Sequence, residues 1–428
     1  MPTQSPWRTP GFRTLFTATA LSQLGTNIGY VAVPLIAVSA LDASPAQVGL
    51  LATLSTVAFL VIGLPAGAWV DRMRHRRVLI AAELARAGVF ASVPVASSLD
   101  ALTLGQLYAV VLLNGCATVF FDVGSQSVLP ELVGRRGLVR ANTAVVSLQA
   151  AGNVAGRGAG GGLVQLLTAP VAVVGVGVLH LASALRLGGV GRARPASAGS
   201  GPARPPAGLR AQIAEGLRHV LGNRELRALA LTASLNNLGA QLVNTLLPLL
   251  FTRELGLSAG VLGLYWAFGG VGIFLGARCA RRVARRLGHG RALGLVGLCM
   301  APVALVVPLV DRGPWLWLAA AGWMLATFKM GIDNVLGVSL RQGLTPDPLL
   351  GRMNATFRFM LTGALAVGSA LAGLIGEFAG VRTALWVGGG CLTLAFVPVF
   401  LSPVRTRREL PRQPSPSPGV DGAAVAQA

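Results

Sequence analysis

Residues 45–77 read PAQVGLLATLSTVAFLVIGLPAGAWVDRMRHRR. No acidic or basic residue occurs between Pro45 and Val70, and this run exceeds the roughly 20 apolar residues that one helical crossing of a bilayer requires. Basic side chains follow immediately, as they do where a transmembrane helix ends on the side of the membrane that carries positive charge. The stretch therefore predicts one transmembrane helix with a basic connection after it.

The composition extends this prediction to the whole chain. Of 428 residues, 53% are hydrophobic and only 12% are charged, and the mean hydropathy is +0.65. A single soluble core could not bury so much apolar surface, so we expect lipid to be the solvent. Twelve segments are long and apolar enough to cross, near residues 14–41, 45–70, 77–99, 102–125, 141–167, 170–191, 228–252, 258–280, 291–310, 315–338, 355–377 and 382–401.

The distribution of basic residues predicts the orientation. The chain has 36 basic and 15 acidic residues, but they do not cluster on a water-soluble fold, so we expect no nucleic-acid partner. Most basic residues fall in alternate connections and in both termini, which we therefore place in the cytoplasm of a multi-pass protein of the cell membrane. The exceptions are Arg253, Arg312 and Arg382 on the other side, and Arg86, Arg157 and Lys329 within spans.

The two halves of the chain repeat each other. The matching segments are Gly67 with Arg76-Arg77 and Gly276 with Arg285-Arg286, then Leu138-x-Arg140-x-Asn142 and Leu350-x-Arg352-x-Asn354. Parallel repeats of this kind build secondary transporters whose site lies at the bilayer midplane. The sequence thus predicts an all-α polytopic membrane protein with 12 transmembrane helices in two pseudo-symmetric six-helix bundles. Its predicted units are an N-terminal bundle (1–191), a cytoplasmic linker (192–223), a C-terminal bundle (224–402) and a disordered cytoplasmic tail (403–428).

The basic connection carries a motif. Residues 67–77 read GAWVDRMRHRR, which resembles the G-x-x-x-D-R-x-G-R-[RK] loop between the second and third spans of the major facilitator superfamily, although Arg74 and His75 replace the loop glycine. The resemblance assigns a gating role to Gly67, Asp71, Arg72, Arg76 and Arg77. It also implies that Asp71, Asp122 and loop arginines such as Arg76 form a charge cluster that holds the halves in one alternating-access state. An ordinary interfacial salt bridge is the alternative.

The fifth span carries a second motif. Residues 152–161 read GNVAGRGAGG, which resembles the G-x-x-x-G-P-x-x-G-G signature of proton antiporters in the same superfamily, with Arg157 replacing the proline. Gly152, Gly156, Gly160 and Gly161 can equally form a helix-packing seam. Together with residues 121–123, 129–132, 339–342 and 349–354, the pattern resembles a bacterial subgroup of drug, macrolide and siderophore exporters. That resemblance covers residues 12–402 and implies export coupled to proton influx.

Ionisable residues within the spans are functional candidates because burying a charge in a membrane costs a few kcal/mol. Lys329, the only lysine, lies four residues before Asp333, so the two can neutralise each other, or Asp333 can carry a proton for which Lys329 competes. Glu83 and Arg86 share a helix face, and mutual neutralisation is again the simpler interpretation. His180 is either a titratable group or a hydrogen-bonded structural residue.

The remaining candidates concern coupling and the cavity. We predict proton coupling at Asp333, Asp122, Glu83 or His180. Arg157 either anchors an anionic group of the substrate or binds backbone carbonyls of its own span. The candidates for the substrate cavity are Lys329, Arg157, Asn27, Gln23, Asn237, Gln241 and Asn334.

These patterns predict a secondary active transporter, a proton-coupled exporter of an amphipathic organic solute such as a drug, an antibiotic or a siderophore-like molecule, with a role in drug resistance. The alternatives are an importer or uniporter of a small organic solute, and a transport-inactive membrane scaffold or sensor. The chain has no phosphate-binding loop of ATP-driven pumps and no catalytic motif, so we expect neither an enzyme nor a cofactor nor a metal site. The expected partners are the solute, protons and the lipid bilayer, and we expect a monomer.

Overall fold

The computed structural model describes residues 6–70, 72–189 and 209–408. Within these ranges the chain is almost entirely helical and contains no strand. The α-helices are α1 (Pro10–Ser39), α2 (Pro45–Val70), α3 (His75–Ser98), α4 (Leu104–Leu167), α5 (Ala169–Gly188), α6 (Leu209–Gly222), α7 (Arg224–Leu249), α8 (Ala259–Leu287), α9 (His289–Met300), α10 (Pro314–Gly343), α11 (Leu350–Ala379), α12 (Val381–Leu394) and α13 (Val397–Phe400). A π-helical turn, Leu250–Glu254, continues α7.

Ten segments in the described ranges are long and apolar enough to cross a membrane. They correspond to ten of the twelve predicted spans. The other two, predicted at 141–167 and 228–252, exist as helices, in the second half of α4 and in α7 with its π-helical turn. Each of these two spans contains four Asn or Gln residues, which lower its hydropathy.

The helical backbone is irregular at two places in the predicted spans. Segment α4 consists of two helices, the fourth and fifth spans, which are broken at Gly134, inside the connection predicted between residues 125 and 141. Gly134 has φ 66° and ψ 170°, and a residue without a Cβ adopts this positive φ without strain. The span predicted at 291–310 begins as α9 and then becomes a 3-10 helix, Ala301–Leu309.

The helices form two groups. Helix α1 packs on α4 and α5, α3 packs on α4 and α5, and α2 packs on α4. In the second group α8 packs on α10, and α7 packs on α11 and α12. The groups meet along two seams, α2 against α11 and the second half of α4 against α8. Helix α6 lies outside both groups, against α7 and α11.

The molecule has two ends, which we call the Arg72 end, with the α2–α3 connection, and the Asp42 end, with the α1–α2 connection. The groups touch closely near the Asp42 end. A Cβ on Gly373 would lie 2.9 Å from the Cα of Gly49, and a Cβ on Gly161 would lie 2.7 Å from the Cα of Gly263. Both seams therefore depend on glycine pairs that let the backbones approach.

The predicted linker and tail are only partly described. Residues 192–208 and the predicted tail after residue 408 lie outside the described residues. The linker ends in α6. The tail was predicted to be disordered from residue 403, but Pro403–Thr406 forms a 3-10 helix, and the backbone N–H of Gly290 donates to the carbonyl of Arg407 at 2.9 Å. The ordered fold therefore extends to Arg408.

Candidate functional site

A cavity of about 550 Å³ lies between the two groups at the Arg72 end. Its walls come from the first turns of α1, from both halves of α4 and from Arg358 on α11. The lining mixes apolar and polar residues, and the polar members are Thr19, Gln23, Asp122, Ser125, Gln126, Asn142, Gln149 and Arg358. Asp122 is the only acidic residue of this lining. The cavity therefore offers apolar surface together with several amides and hydroxyls, one carboxylate and one guanidinium.

The carboxylate of Asp122 is half-buried and forms neither a hydrogen bond nor an ion pair within 4 Å with any residue in the described ranges. Arg358 faces the same cavity from the other group, and its guanidinium carbon lies 4.0 Å from the centroid of the Phe59 ring on α2. Asp122 and Arg358 therefore carry opposite charges across the cavity without direct contact. The sequence prediction included Asp122 but not Arg358.

The predicted charge cluster at the α2–α3 connection is only partly described. Asp71 lies outside the described residues. Arg76 donates from Nε to the carbonyl of Leu187 at 3.3 Å and from Nη2 to the carbonyl of Gly188. Since these carbonyls end α5, Arg76 caps that helix, and it forms no ion pair with Asp122 in the described part of the chain.

The other members of the connection lie at the surface. Arg72 and Arg77 are exposed, and Gly67 lies in the last turns of α2. His75, one of the two residues in place of the family's loop glycine, contacts Glu131 on α4 at 3.2 Å between Nδ1 and Oε1. An imidazole–carboxylate contact thus links the start of α3 to the turn region of α4.

A buried polar cluster joins α10 to α7. The Nζ of Lys329 lies 2.8 Å from the Oδ2 of Asp333, and the side chain of Lys329 is only 3% exposed. Asn236 bridges the pair, because its amide nitrogen donates to Asp333 at 3.1 Å and its amide oxygen accepts from Lys329 at 3.3 Å. A cavity of about 160 Å³ adjoins this cluster and is lined by Asp333, Asn237 and Asn334. Lys329 is thus a partner of Asp333 and not part of that lining.

A second buried cluster lies inside the first helix group. Glu83 accepts from Arg86 Nη1 at 2.9 Å and from the hydroxyl of Ser22 at 2.9 Å, and its other oxygen lies 3.1 Å from the Nδ1 of His180. Arg86 also donates to Asn114 at 3.0 Å. Glu83, Arg86 and His180 are all at most 1% exposed. The simpler interpretation, mutual neutralisation of Glu83 and Arg86, fits this geometry, and His180 adds a third partner.

Arg157 occupies an aromatic environment near the Asp42 end. Its guanidinium carbon lies 4.5 Å from the centroid of the Tyr30 ring, and Tyr30 meets Trp266 of α8 edge to face at 5.7 Å. The Nε of Arg157 is buried and has no hydrogen-bond partner in the described ranges. Arg157 therefore stacks on an aromatic ring and does not bind the carbonyls of its own span.

The glycines of the fifth span face neighbouring helices. A Cβ on Gly152 would lie 3.5 Å from the Cβ of Gln23, and one on Gly156 would lie 2.5 Å from the Cβ of Asn27. A Cβ on Gly160 would lie 3.1 Å from the Cα of Ile28. Three of the four glycines thus lie against α1, while Gly161 lies against α8.

The amides predicted to line a single cavity are dispersed. Gln23 lines the 550 Å³ cavity, and Asn237 and Asn334 line the 160 Å³ cavity. Asn27 is buried and donates to the carbonyl of Gln23 at 2.9 Å, while Gln241 donates to the hydroxyl of Thr245 at 3.3 Å. The structure therefore does not bring all the predicted cavity residues together.

The sequence pattern of a known family, described as transmembrane secretion effector, matches residues 1–426. The chain belongs to this family of major facilitator transporters. The family and its relatives are transporters and not enzymes. The multidrug efflux pump Tap of Mycolicibacterium fortuitum is 28% identical over 405 residues, which cover 89% of this chain and 93% of Tap. The enterobactin exporter EntS of Salmonella choleraesuis (strain SC-B67) is 26% identical over 378 residues, 86% of each chain.

Solved structures share the fold of this chain. A bacterial homologue of the human lysosomal transporter Spinster, inward-facing and occupied, superposes with a TM-score of 0.74 at 15% identity and covers 97% of this chain and 100% of its own. A bacterial homologue of the iron transporter ferroportin, inward-facing, gives 0.70 at 17% identity and covers 94% and 100%. At these identities the likeness shows the fold alone. The prediction of a polytopic major facilitator transporter is confirmed.

Proposed function

We propose that the protein exports an amphipathic organic solute, such as a drug, an antibiotic or a siderophore-like compound, in exchange for protons. The observation that carries the proposal is the one-sided cavity. About 550 Å³ of space opens between the helix groups at the Arg72 end, while glycine-mediated contacts close the Asp42 end. A cavity that is open to one side only is one of the two states that alternating access requires.

The arginines suggest which side this cavity faces. The Arg72 end carries most of the 36 basic residues, and the positive-inside rule assigns such an end to the cytoplasm. The structure would then represent the cytoplasm-facing state in which an exporter binds its substrate. The efflux functions named for Tap and EntS support the same direction.

The lining favours an amphipathic substrate. Apolar side chains such as Leu15, Phe121 and Val145 share the wall with amides such as Gln126 and Asn142. Burial of apolar ligand surface against apolar residues favours binding, and a few polar groups fix the orientation of the ligand. A basic or neutral amphipathic molecule would fit beside the carboxylate of Asp122.

Asp122 is the acidic candidate best suited to coupling. A coupling carboxylate must exchange a proton with water and respond to the solute, so it must reach the cavity. Asp122 does so without an ion-pair partner within 4 Å in the described ranges, whereas Asp333 is bound to Lys329 and Glu83 is bound to Arg86 and His180. Arrival of a basic solute at Asp122 would favour release of its proton, and protonation of Asp122 from the opposite side would favour release of the solute.

The direction of transport is testable in right-side-out and inside-out membrane vesicles. We expect an amphipathic antibiotic or siderophore to accumulate in inside-out vesicles that have an acidic interior, and a protonophore to abolish the accumulation. Vesicles without the protein are the control. Accumulation only in right-side-out vesicles would favour import, and accumulation that the protonophore does not reduce would favour a uniporter.

A further inference from the structure

A second cavity, of about 590 Å³, lies on the outside of the second helix group at the Arg72 end. Its lining combines three exposed arginines, Arg224 and Arg227 from the first turn of α7 and Arg405 from the 3-10 helix after α13. Apolar residues flank them, including Leu231 and Leu401, which are 43% and 74% exposed. The surface is thus a cationic patch with an adjoining apolar strip, which we call the Arg224 groove.

The arginines of this groove are not explained by the stability of their own helix. The N-terminus of a helix carries a partial positive charge and disfavours cations, and Arg224 and Arg227 are also like charges one turn apart. Both effects destabilise the first turn of α7 when no anion is bound. An anion bound between these side chains would relieve both.

No carboxylate neutralises the groove. The acidic residue nearest in sequence, Glu225, is bound to Arg407 at 2.8 Å. Arg224, Arg227 and Arg405 form no ion pair within 4 Å in the described ranges. Arg227 uses one donor on the carbonyl of Leu221 at 3.3 Å, which leaves its remaining donors free.

The position of the groove indicates which anion it meets. It lies where the apolar segment Val381–Phe400 ends and where α7 begins. At this depth a bilayer presents phosphate groups, and just below them it presents acyl chains. Arginine binds phosphate through two parallel hydrogen bonds, and the strip of Leu231 and Leu401 continues toward the membrane interior.

We propose that the Arg224 groove binds one anionic phospholipid, with its phosphate between Arg224, Arg227 and Arg405 and an acyl chain along Leu231 and Leu401. The bound lipid neutralises the first turn of α7 and connects it to the 3-10 helix after α13. This site is separate from the central cavity and does not depend on the proposed export.

Native mass spectrometry of the purified full-length protein, titrated with phosphatidylglycerol, tests the proposal. We expect the triple variant Arg224→Gln/Arg227→Gln/Arg405→Gln to bind at least about tenfold more weakly, since it removes all three cations that attract the phosphate. The matched control is Arg281→Gln/Arg285→Gln/Arg286→Gln, which removes three exposed arginines from the same end. It should bind within about twofold of the wild type. The corresponding triple lysine variant should retain most of the binding and so exclude misfolding.

Three results would overturn the proposal. An equal loss of phosphatidylglycerol binding in the two triple glutamine variants would indicate a diffuse electrostatic attraction to the basic surface and not a specific site. Equal binding of phosphatidylcholine with the same acyl chains would show that the headgroup is not recognised. Displacement of phosphatidylglycerol by inorganic phosphate at a similar concentration would identify a site for a water-soluble phosphate and not for a lipid.

Discussion

Asp42 and Arg253 join the two helix groups at the end opposite the central cavity. The Oδ1 of Asp42, in the α1–α2 connection, lies 2.5 Å from the Nη2 of Arg253 in the π-helical turn after α7, and Arg253 also donates to the carbonyl of Val38 at 2.9 Å. Asp42 is 93% exposed, so the ion pair adds little stability in itself. Its importance is geometric, because the two helix groups cannot separate at the Asp42 end without breaking this contact.

This contact predicts that a fixed link between the two positions stops transport. In a variant without the four native cysteines, Asp42→Cys/Arg253→Cys should react with a short bifunctional thiol reagent and lose nearly all transport, measured as solute flux in vesicles. The control is Asp311→Cys/Arg382→Cys, whose native side chains lie 3.3 Å apart within the second group. Its crosslink should leave flux intact. Full flux after complete crosslinking of the first pair would contradict a moving Asp42 end.

The glycine seam between α4 and α8 gives a second prediction. Gly161→Val should prevent closure of the Asp42 end, because even a Cβ there would lie 2.6 Å from the carbonyl oxygen of Ala259. We expect transport to fall at least about tenfold. The protein should still fold, since the state in which the Asp42 end is open does not need α4 and α8 to approach each other here. The matched control is Gly162→Val, where a Cβ meets nothing within 4 Å. Equal activity of both variants would show that close approach of these helices is unnecessary.

The pair of Lys329 and Asp333 predicts strong coupling in a double-mutant cycle. Removing one partner leaves a buried uncompensated charge, so Lys329→Met or Asp333→Leu alone should lower the free energy of unfolding by about 3–5 kcal/mol. The double variant should lose much less than the sum of the two. Denaturant unfolding in detergent, followed by tryptophan fluorescence, measures the three values. Additive losses would mean that the 2.8 Å contact does not decide the stability of this region.

The cluster around Glu83 predicts a structural role for His180. His180→Gln can still donate to Glu83 and should stay close to the wild type in stability, whereas His180→Ala leaves a buried acceptor unsatisfied and should cost about 1–3 kcal/mol. The pH dependence of transport by the glutamine variant should match that of the wild type, because His180 is fully buried away from the cavity. A shifted pH profile in the glutamine variant would instead make His180 part of proton coupling.

The fold could be predicted from the sequence because its signals are local. Apolar length, basic connections and the internal repeat each depend on a few consecutive residues, and so does the i, i+4 relation of Lys329 and Asp333. Segment α4 is helical closer to the break at Gly134 than could be predicted in this way. Its helical turns before and after Gly134 contain polar and basic residues, which resemble a connection when only hydropathy is considered.

The partners of the charged residues depend on packing between distant segments. Glu83 and His180 meet because α3 packs on α5, and Asn236 reaches Lys329 because α7 lies beside α10. The sequence noted these residues singly, but it contains no local signal for their pairing. Arg358 was counted only as a basic residue near a helix end, and its position across the cavity from Asp122 depends on how the two groups approach each other.

Proton movement in inside-out vesicles is the most direct test of coupling at Asp122. With an acidic interior and a pH-sensitive dye, addition of a transported compound to the wild type should release protons from the vesicles. Asp122→Asn should lose this release at equal expression but still bind the compound, and the control Asp122→Glu should retain it in part. Undiminished release by Asp122→Asn would contradict the assignment, and solute accumulation by the wild type without any proton release would contradict proton-coupled export itself.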